Sequence, residues 1–343
     1  MKTLQPIIPF LRRLLIFLLP LWLLVALYVL LDPFLVVWHY DNYYYRTGLH
    51  PTLDMDYVSC ENYVNRDGTH HYNAFIMGNS RSQFWHADDW QRHLGDSAVV
   101  CHYYGNGETL YRLTRHLQFI HQQGGAIRHV LLALDTELLQ TTEPETSGHL
   151  GLMPPRVDGR LFTFHAENLL SFLKPEFLAG YLDYTLFHQH RPYMTKHFLF
   201  EQPVHYNPET NEVQEYLADE AIANGTYFTS ERMQRFEGKQ FPDSVSPPVI
   251  GPRQQELLLQ IRNIFRQHNT DCRIVVSPLY NQIRLNPHDH HVLCSLFGTS
   301  RVYDFSGPNR WNADYHLYYE DSHYIPAVAR QMMDTIYSTH ILP

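Results

Sequence analysis

Residues 14–31 read LLIFLLPLWLLVALYVLL, an apolar run without a charged or amide side chain. At about 1.5 Å rise per residue such a run spans roughly 27 Å as a helix, close to the hydrocarbon thickness of a bilayer. Backbone groups in lipid must be bonded internally, so the run is predicted to be helical, and Pro20 near its first turns is tolerable there. Trp38, Tyr40, Tyr43, Tyr44 and Tyr45 follow at once, and such rings favour the membrane–water interface. A cleaved secretory signal would have a shorter apolar core, about 7–15 residues, followed by a small-x-small site. The sequence LDPFLVVWHYDNYYY that follows has no such site, so an uncleaved anchor is expected. Lys2, Arg12 and Arg13 precede the span and few basic residues follow it closely. The positive-inside rule then predicts a cytoplasmic segment 1–13, a transmembrane helix 14–31, and everything after about residue 35 outside the cytoplasm.

Further along, the pattern changes to short, nearly continuous apolar runs, as in parallel strands buried on both faces. They are NAFIMG (73–78), SAVVCHYY (97–104), HVLLALD (129–135) and CRIVVSPL (272–279), with a weaker fifth, RVYDFS (301–306). Helix-like stretches separate them. HADDWQRHL (86–94) follows the first run; GETLYRLTRHLQFIHQQGG (107–125) follows the second, with Leu110, Leu113, Leu117 and Ile120 at helical spacing. PRQQELLLQIRNIFRQHN (252–269) precedes the fourth run, and IPAVARQMMDTIYST (325–339) closes the chain. This alternation predicts an α/β domain over 71–343 with an open, mostly parallel sheet and helices on both faces. Residues 32–70 are read as a juxtamembrane segment. Residues 136–250 break the alternation, rich in Pro, aromatics and His, and are read as an insertion covering the site.

A formal charge of −9 excludes the basic surface that nucleic-acid binding needs. Cys60, Cys101, Cys272 and Cys294 show no metal-like spacing; they allow one or two disulfides outside the cytoplasm, or buried free thiols on strands. The 23 histidines are mostly isolated, and adjacent pairs such as His70–His71 make poor chelates because neighbours on a strand face opposite ways. No metal site and no cofactor are expected.

In open parallel sheets the ligand site lies beyond the C-terminal ends of the strands. The first strand ends in FIMGNSRSQFW, which puts Ser80 at a strand-to-helix turn, where backbone N–H groups can receive an oxyanion. The same residues also make an ordinary turn. Near the other end, YYEDSHYIP places His323 before the last helix, with Glu320 and Asp321 as candidate acids to orient its ring. Asp321 or Ser322 could equally cap that helix. After the second strand, YYGNGE offers the Gly105 N–H and the Asn106 amide as oxyanion donors, or simply a helix-entry loop. Arg81 is a candidate for an anionic substrate or for a structural pair with a carboxylate such as Asp135.

A serine after the first strand, a glycine after the second and an acid-x-x-His before the last helix resemble the SGNH hydrolase superfamily, over residues 73–135 and 252–340. Within it the chain is most similar to membrane-anchored bacterial members with a GxSR turn, including relatives of the lipoteichoic acid D-alanylation and alginate O-acetylation proteins. The DPFLVVWHYDNYY and FIMGNSRS segments are also similar to anchored proteins of Bacteroidetes. The resemblance implies a three-layer α/β/α, flavodoxin-like fold, Ser80 as nucleophile, His323 as base and Glu320 as orienting acid, with the N–H groups of Ser80 and Gly105 as oxyanion donors. It also implies an integral membrane O-acyltransferase as partner and a cell-envelope glycan or polymer as substrate. Asn79 stands where aspartate is usual, Glu320 where aspartate is usual, and Asp135 where the superfamily has asparagine. A carboxylate cannot donate to an oxyanion unless protonated. Two functions follow: an envelope O-acyltransferase or esterase at the bacterial cytoplasmic membrane, or a non-catalytic binding or assembly factor with the same fold.

Overall fold

The computed structural model describes residues 7–45, 50–196, 199–200, 204–237, 239 and 241–338. Lys2, used above for orientation, and residue 339 lie outside them. The helices used below are α1 (Ile7–Leu31), α2 (Met55–His70), α3 (Ala87–Leu94), α4 (Leu110–Gln122), α5 (Leu161–Phe172), α6 (Pro175–Phe187), α7 (Pro252–His268), α8 (Pro287–Phe297) and α9 (Pro326–Ser338). The strands are β1 (Ala74–Gly78), β2 (Val100–Tyr104), β3 (His129–Leu134), β4 (Asp271–Val276) and β5 (Val302–Asp304). The chain divides into two compact units, 1–53 with 161–201, and 54–160 with 202–343.

The larger unit is an α/β structure around a five-stranded parallel sheet in the order β2-β1-β3-β4-β5. Side chains alternate across it. Phe75, Met77, Tyr103, Val130, Leu132 and Ile274 pack with residues of α2, α4, α7 and α8. Ala74, Ile76, Val100, Leu131 and Val275 pack instead with Trp90 of α3 and with Val328, Met332, Met333 and Ile336 of α9. Because both faces are covered, the strands read as continuous apolar runs. The connection from β1 leads outward to β2 on one side, and that from β3 leads to β4 on the other. Strand order therefore reverses between β1 and β3, which is where open parallel sheets leave a crevice.

One element differs from the sequence reading. Residues 55–70, read as juxtamembrane, are helix α2, and the larger unit begins at Asp54 rather than at 71. The buried positions of α2 include Asp56, Ser59, Glu61 and Asn62, so no apolar stripe marks it.

The smaller unit holds α1, which is long and apolar enough to cross a membrane and whose most apolar window is only 6% buried. Such a helix suits either a membrane anchor or a signal sequence. It stops where Pro33 follows Asp32, whose φ of 36° lies in the left-handed region. The buried Asp32 carboxylate accepts from the N–H groups of Val36 (2.9 Å), Val37 (3.0 Å) and Trp38 (3.1 Å) and from the Tyr40 hydroxyl (2.9 Å). Four donors on one carboxylate fix the direction in which the chain leaves the helix.

The insertion read at 136–250 is split between the units. Residues 161–201 group with α1. Residues 202–250 pack in the larger unit, where the Tyr227 hydroxyl donates to the Tyr319 carbonyl (3.2 Å). All four cysteines are free thiols, with Cys60, Cys101 and Cys272 buried.

Candidate active site

β1 ends at Gly78 with φ 151°, and a Cβ there would lie 2.6 Å from the Ala133 carbonyl oxygen. Only glycine lets β1 and β3 approach this closely while the chain turns. A 3-10 turn, Ser80–Phe84, follows at once. Asn79 caps it, its side-chain oxygen accepting from the Arg81 N–H (3.1 Å), while the Ser82 hydroxyl donates to the Asn79 carbonyl (2.7 Å). Ser80 thus heads a rigid turn beside the crevice, and its own N–H is the first of the turn's orphan donors.

His323 comes from a short antiparallel hairpin, Tyr318–Glu320 with His323–Tyr324, in which Glu320 and His323 are cross-strand partners. The acid-x-x-His spacing therefore sets the two side chains together. His323 Nε2 lies 2.8 Å from Ser80 Oγ, and Nδ1 is bonded to Glu320 Oε1. A proton held on Nδ1 by the carboxylate leaves Nε2 to accept from the Ser80 hydroxyl. Glu320 also accepts from the Ser322 N–H (3.1 Å) and hydroxyl (3.0 Å). Burial pushes the Glu320 carboxyl up, but the hydrogen bond and charge of His323 outweigh it and hold it down at about 2. Phe84 meets the imidazole edge-on, with ring centroids 5.7 Å apart.

Of the two candidate acids, Glu320 faces the ring and Asp321 pairs with Lys239 (2.9 Å) at the surface. Glu320→Gln is expected to cut kcat/KM for an activated acyl ester roughly 10³- to 10⁴-fold, as loss of the orienting carboxylate does in serine triads. Asp321→Asn should leave it near wild type. Equal losses in the two variants would contradict the geometry.

The remaining candidates are arranged differently from the sequence reading. Gly105 does not present its N–H to Ser80: that N–H donates to the Gly78 carbonyl (3.2 Å). Asn106 is half-buried, and its carbonyl accepts from Arg112 (3.4 Å). Asp135 is a buried cap, accepting from the N–H of Leu138 (2.9 Å), from the Asn79 amide (2.5 Å) and from Arg81 (2.7 Å). Arg81 also donates to Glu137 (3.0 Å) and to the Ser322 carbonyl (3.2 Å). Its donors are thus engaged by protein acceptors, and it ties the serine turn, the end of β3 and the histidine hairpin together. Asn79 and Asp135, two separate departures in the sequence, are direct partners.

No family model matches this chain, and no curated protein matches it.

A cavity of about 230 Å³ adjoins the site, lined among others by Arg81, Glu137, Lys239, Tyr280, Asn281 and Ser322. Behind the Gly105 loop lies a cluster the sequence did not reveal: Asp54, Asp56, Glu108, Arg112 and His116, all buried. Arg112 lies 3.3 Å from Asp56 and 3.2 Å from Glu108, and Glu108 contacts His116 (3.1 Å). Asp56, Glu108 and His116 bring one ligand atom each within 4.8 Å of one another, as a cation site would need. Arg112 already supplies the positive charge there. The groups come from α2 and α4 and the residues just before them, about 50 residues apart, so no local motif marks them.

Burial pushes the Asp54 carboxyl up to about 6 and pushes that of Asp56 well above its ordinary value, against the pull of Arg112. An acid raised from 3.8 keeps its proton in the folded state while the unfolded chain has lost it. Its contribution to stability is therefore lost as pH rises from about 4 to 6. Asp54→Asn preserves the cap on α2, whose Asp56 N–H donates to Asp54 (3.0 Å). The variant's Tm should gain on wild type as pH rises from 4 to 7; a constant difference would contradict this assignment.

Proposed function

We propose that this chain is a membrane-anchored, SGNH-type serine acyltransferase or esterase acting on O-acyl groups of a cell-envelope glycan or polymer. The observation that carries the reading is the Ser80–His323–Glu320 relay at the C-terminal end of a central parallel strand. The strand order β2-β1-β3-β4-β5 supports a three-layer α/β/α, flavodoxin-like arrangement of SGNH type.

In this reading His323 takes the Ser80 proton as Oγ attacks the acyl carbonyl. The oxyanion of the tetrahedral intermediate accepts from the Ser80 N–H. The intermediate collapses, the C–O bond to the leaving alcohol breaks, and His323 protonates that alcohol. The acyl group now esterifies Ser80. A second hydroxyl or a water, deprotonated by His323, attacks this ester and frees the serine. The cavity beside Arg81 and Ser322 offers room for the acceptor. α1 would hold the domain at the extracytoplasmic face of the bacterial cytoplasmic membrane, beside an integral O-acyltransferase that delivers acyl groups. Tethering raises the effective concentration of each for the other.

A second reading, a non-catalytic assembly factor, is favoured by the engaged Gly105 N–H and by Asp135, which leave Ser80 with a sparse oxyanion site. An aryl acetate, with and without a hydroxylated glycan acceptor, separates the two. Ser80-dependent release of the aryl alcohol supports the enzyme, and acetylated glycan assigns transfer. Release that is absent, or unchanged in Ser80→Ala, supports the assembly factor.

A further inference from the structure

Helix α5 carries apolar side chains on both of its faces, unlike a helix on a water-facing surface. Its inward face buries Asn168, at 1% exposure, and Ser171, at 3%, beside Phe164 and Phe172. The opposite face carries Phe162, Ala166, Leu169, Leu170 and Leu173, a stripe at i, i+4, i+7, i+8 and i+11 that lies on one side of a helix. Phe162 is 87% exposed and Leu170 58%. α6 likewise exposes Leu186, at 71%, and Phe187. Burying amides and hydroxyls while presenting Phe and Leu is unfavourable in water. It carries no such cost where the surroundings are hydrocarbon.

This hairpin belongs to the same compact unit as α1 and touches the end of that helix. Phe172 meets Tyr28, with ring centroids 5.7 Å apart, and Phe177 meets Phe34 at 5.1 Å. Tyr28 and Phe34 flank the point where α1 stops, so the hairpin lies at the level where a spanning helix would emerge from the bilayer. Trp38 and Tyr45, both exposed, follow in the same unit, and the exposed Lys174 sits between α5 and α6. Aromatic rings and lysine stems suit the headgroup layer.

We infer that α5 and α6 form a second membrane-contacting element, an in-plane hairpin whose Phe162–Leu170–Phe187 surface enters the headgroup–acyl boundary of the leaflet that α1 leaves. The occupant of this surface is lipid. Interfacial helices of this kind sink roughly 5–10 Å into that boundary. The inference rests on the reading of α1 as a retained anchor. With both elements held, the smaller unit would have a fixed tilt on the bilayer, which a single helix and a flexible link would not impose.

The test uses the full chain in vesicles of pure phosphatidylethanolamine and phosphatidylglycerol. Nitroxide labels are placed on Phe162→Cys, Leu170→Cys and Phe187→Cys in a Cys294→Ser background, the other native cysteines being buried. Leu23→Cys in α1 reports the anchor, and Gln123→Cys, exposed in the larger unit, reports water. Labels at 162, 170 and 187 are expected to collide readily with oxygen and poorly with a water-soluble nickel chelate, as at 23 and opposite to 123. Chelate access at all three as high as at 123, with the label at 23 still shielded, overturns the hairpin while leaving the anchor intact. Chelate access at 23 as well overturns the anchor reading and the hairpin with it. Shielding of the three sites that appears only in native membranes rich in other proteins overturns lipid as the occupant in favour of an integral protein partner.

Discussion

Ser80→Ala is expected to lower kcat/KM for an activated acyl ester by at least about 10⁴-fold, the scale seen when a triad nucleophile is removed. His323→Ala should fall nearly as far, and the double variant no further than the worse single one. The reason is mechanistic coupling. The Ser80 hydroxyl is a poor nucleophile unless its proton can leave for Nε2, 2.8 Å away. A base without a nucleophile, or a nucleophile without a base, loses the same step. Losses that multiply would instead mean two independent roles. The substitution removes one partly exposed oxygen and leaves the Asn79 cap and the Ser82–Asn79 bond in place. Its Tm should therefore stay close to wild type, which separates a chemical effect from unfolding.

Arg81→Ala carries the largest expected effect on stability, about 3–5 kcal/mol, because it leaves the buried Asp135 carboxylate without its cation. For a unit of this size that corresponds to a Tm lower by roughly 10 °C. Most of the cost lies in the stranded charge, so removing the partner as well should recover part of it. Arg81→Met combined with Asp135→Asn is accordingly expected to be more stable than Arg81→Met alone, measured by urea denaturation of the full chain in detergent. Asn at 135 still accepts from the Leu138 N–H and keeps the helix cap. Arg81→Lys should fall between, since one ammonium cannot match the forked contacts to Asp135, Glu137 and the Ser322 carbonyl. Activity should drop with each of these variants, because Arg81 links the serine turn to the hairpin that carries His323. A double variant no better than the single would place the stabilising role elsewhere.

What could be read in advance follows from how local each signal is. The strands β1 to β4 were legible because burial on both faces makes each a nearly continuous apolar run, while the edge strand β5, with Asp304 exposed, gave the weaker signal; β1, β2 and β3 fall inside the predicted segments. Ser80 stood out because it follows a strand's end at a turn into a helix, a place that an ordinary turn also fills, and His323 because an acid stood three residues before it. The hairpin that makes Glu320 the partner rather than Asp321 was not legible. Its strands are only two and three residues long, and it is their cross-strand pairing that sets Glu320 opposite His323. The position of the Gly105 N–H was equally hidden, since its acceptor, the Gly78 carbonyl, lies on the neighbouring strand. α2 escaped because polar groups are interleaved with apolar ones among its buried residues, and their partners come from distant segments: Ser59 donates to the Tyr104 carbonyl (2.8 Å) and accepts from Asn211 (2.9 Å). The division of residues 136–250 between two units depends on which surface each helix covers. α5, with Phe, Asn and Ser inside and Phe and Leu outside, gives a misleading pattern unless lipid is considered as its solvent.

The central claim is that Ser80 is a nucleophile made reactive by His323, and one measurement reaches it directly. The full chain is treated with a fluorophosphonate, and the adduct is located by intact mass and peptide mapping. A single adduct on the peptide bearing Ser80, lost in Ser80→Ala and in His323→Ala, is the predicted result. Wild-type protein that stays unmodified, or an adduct at another residue that persists in Ser80→Ala, would contradict it.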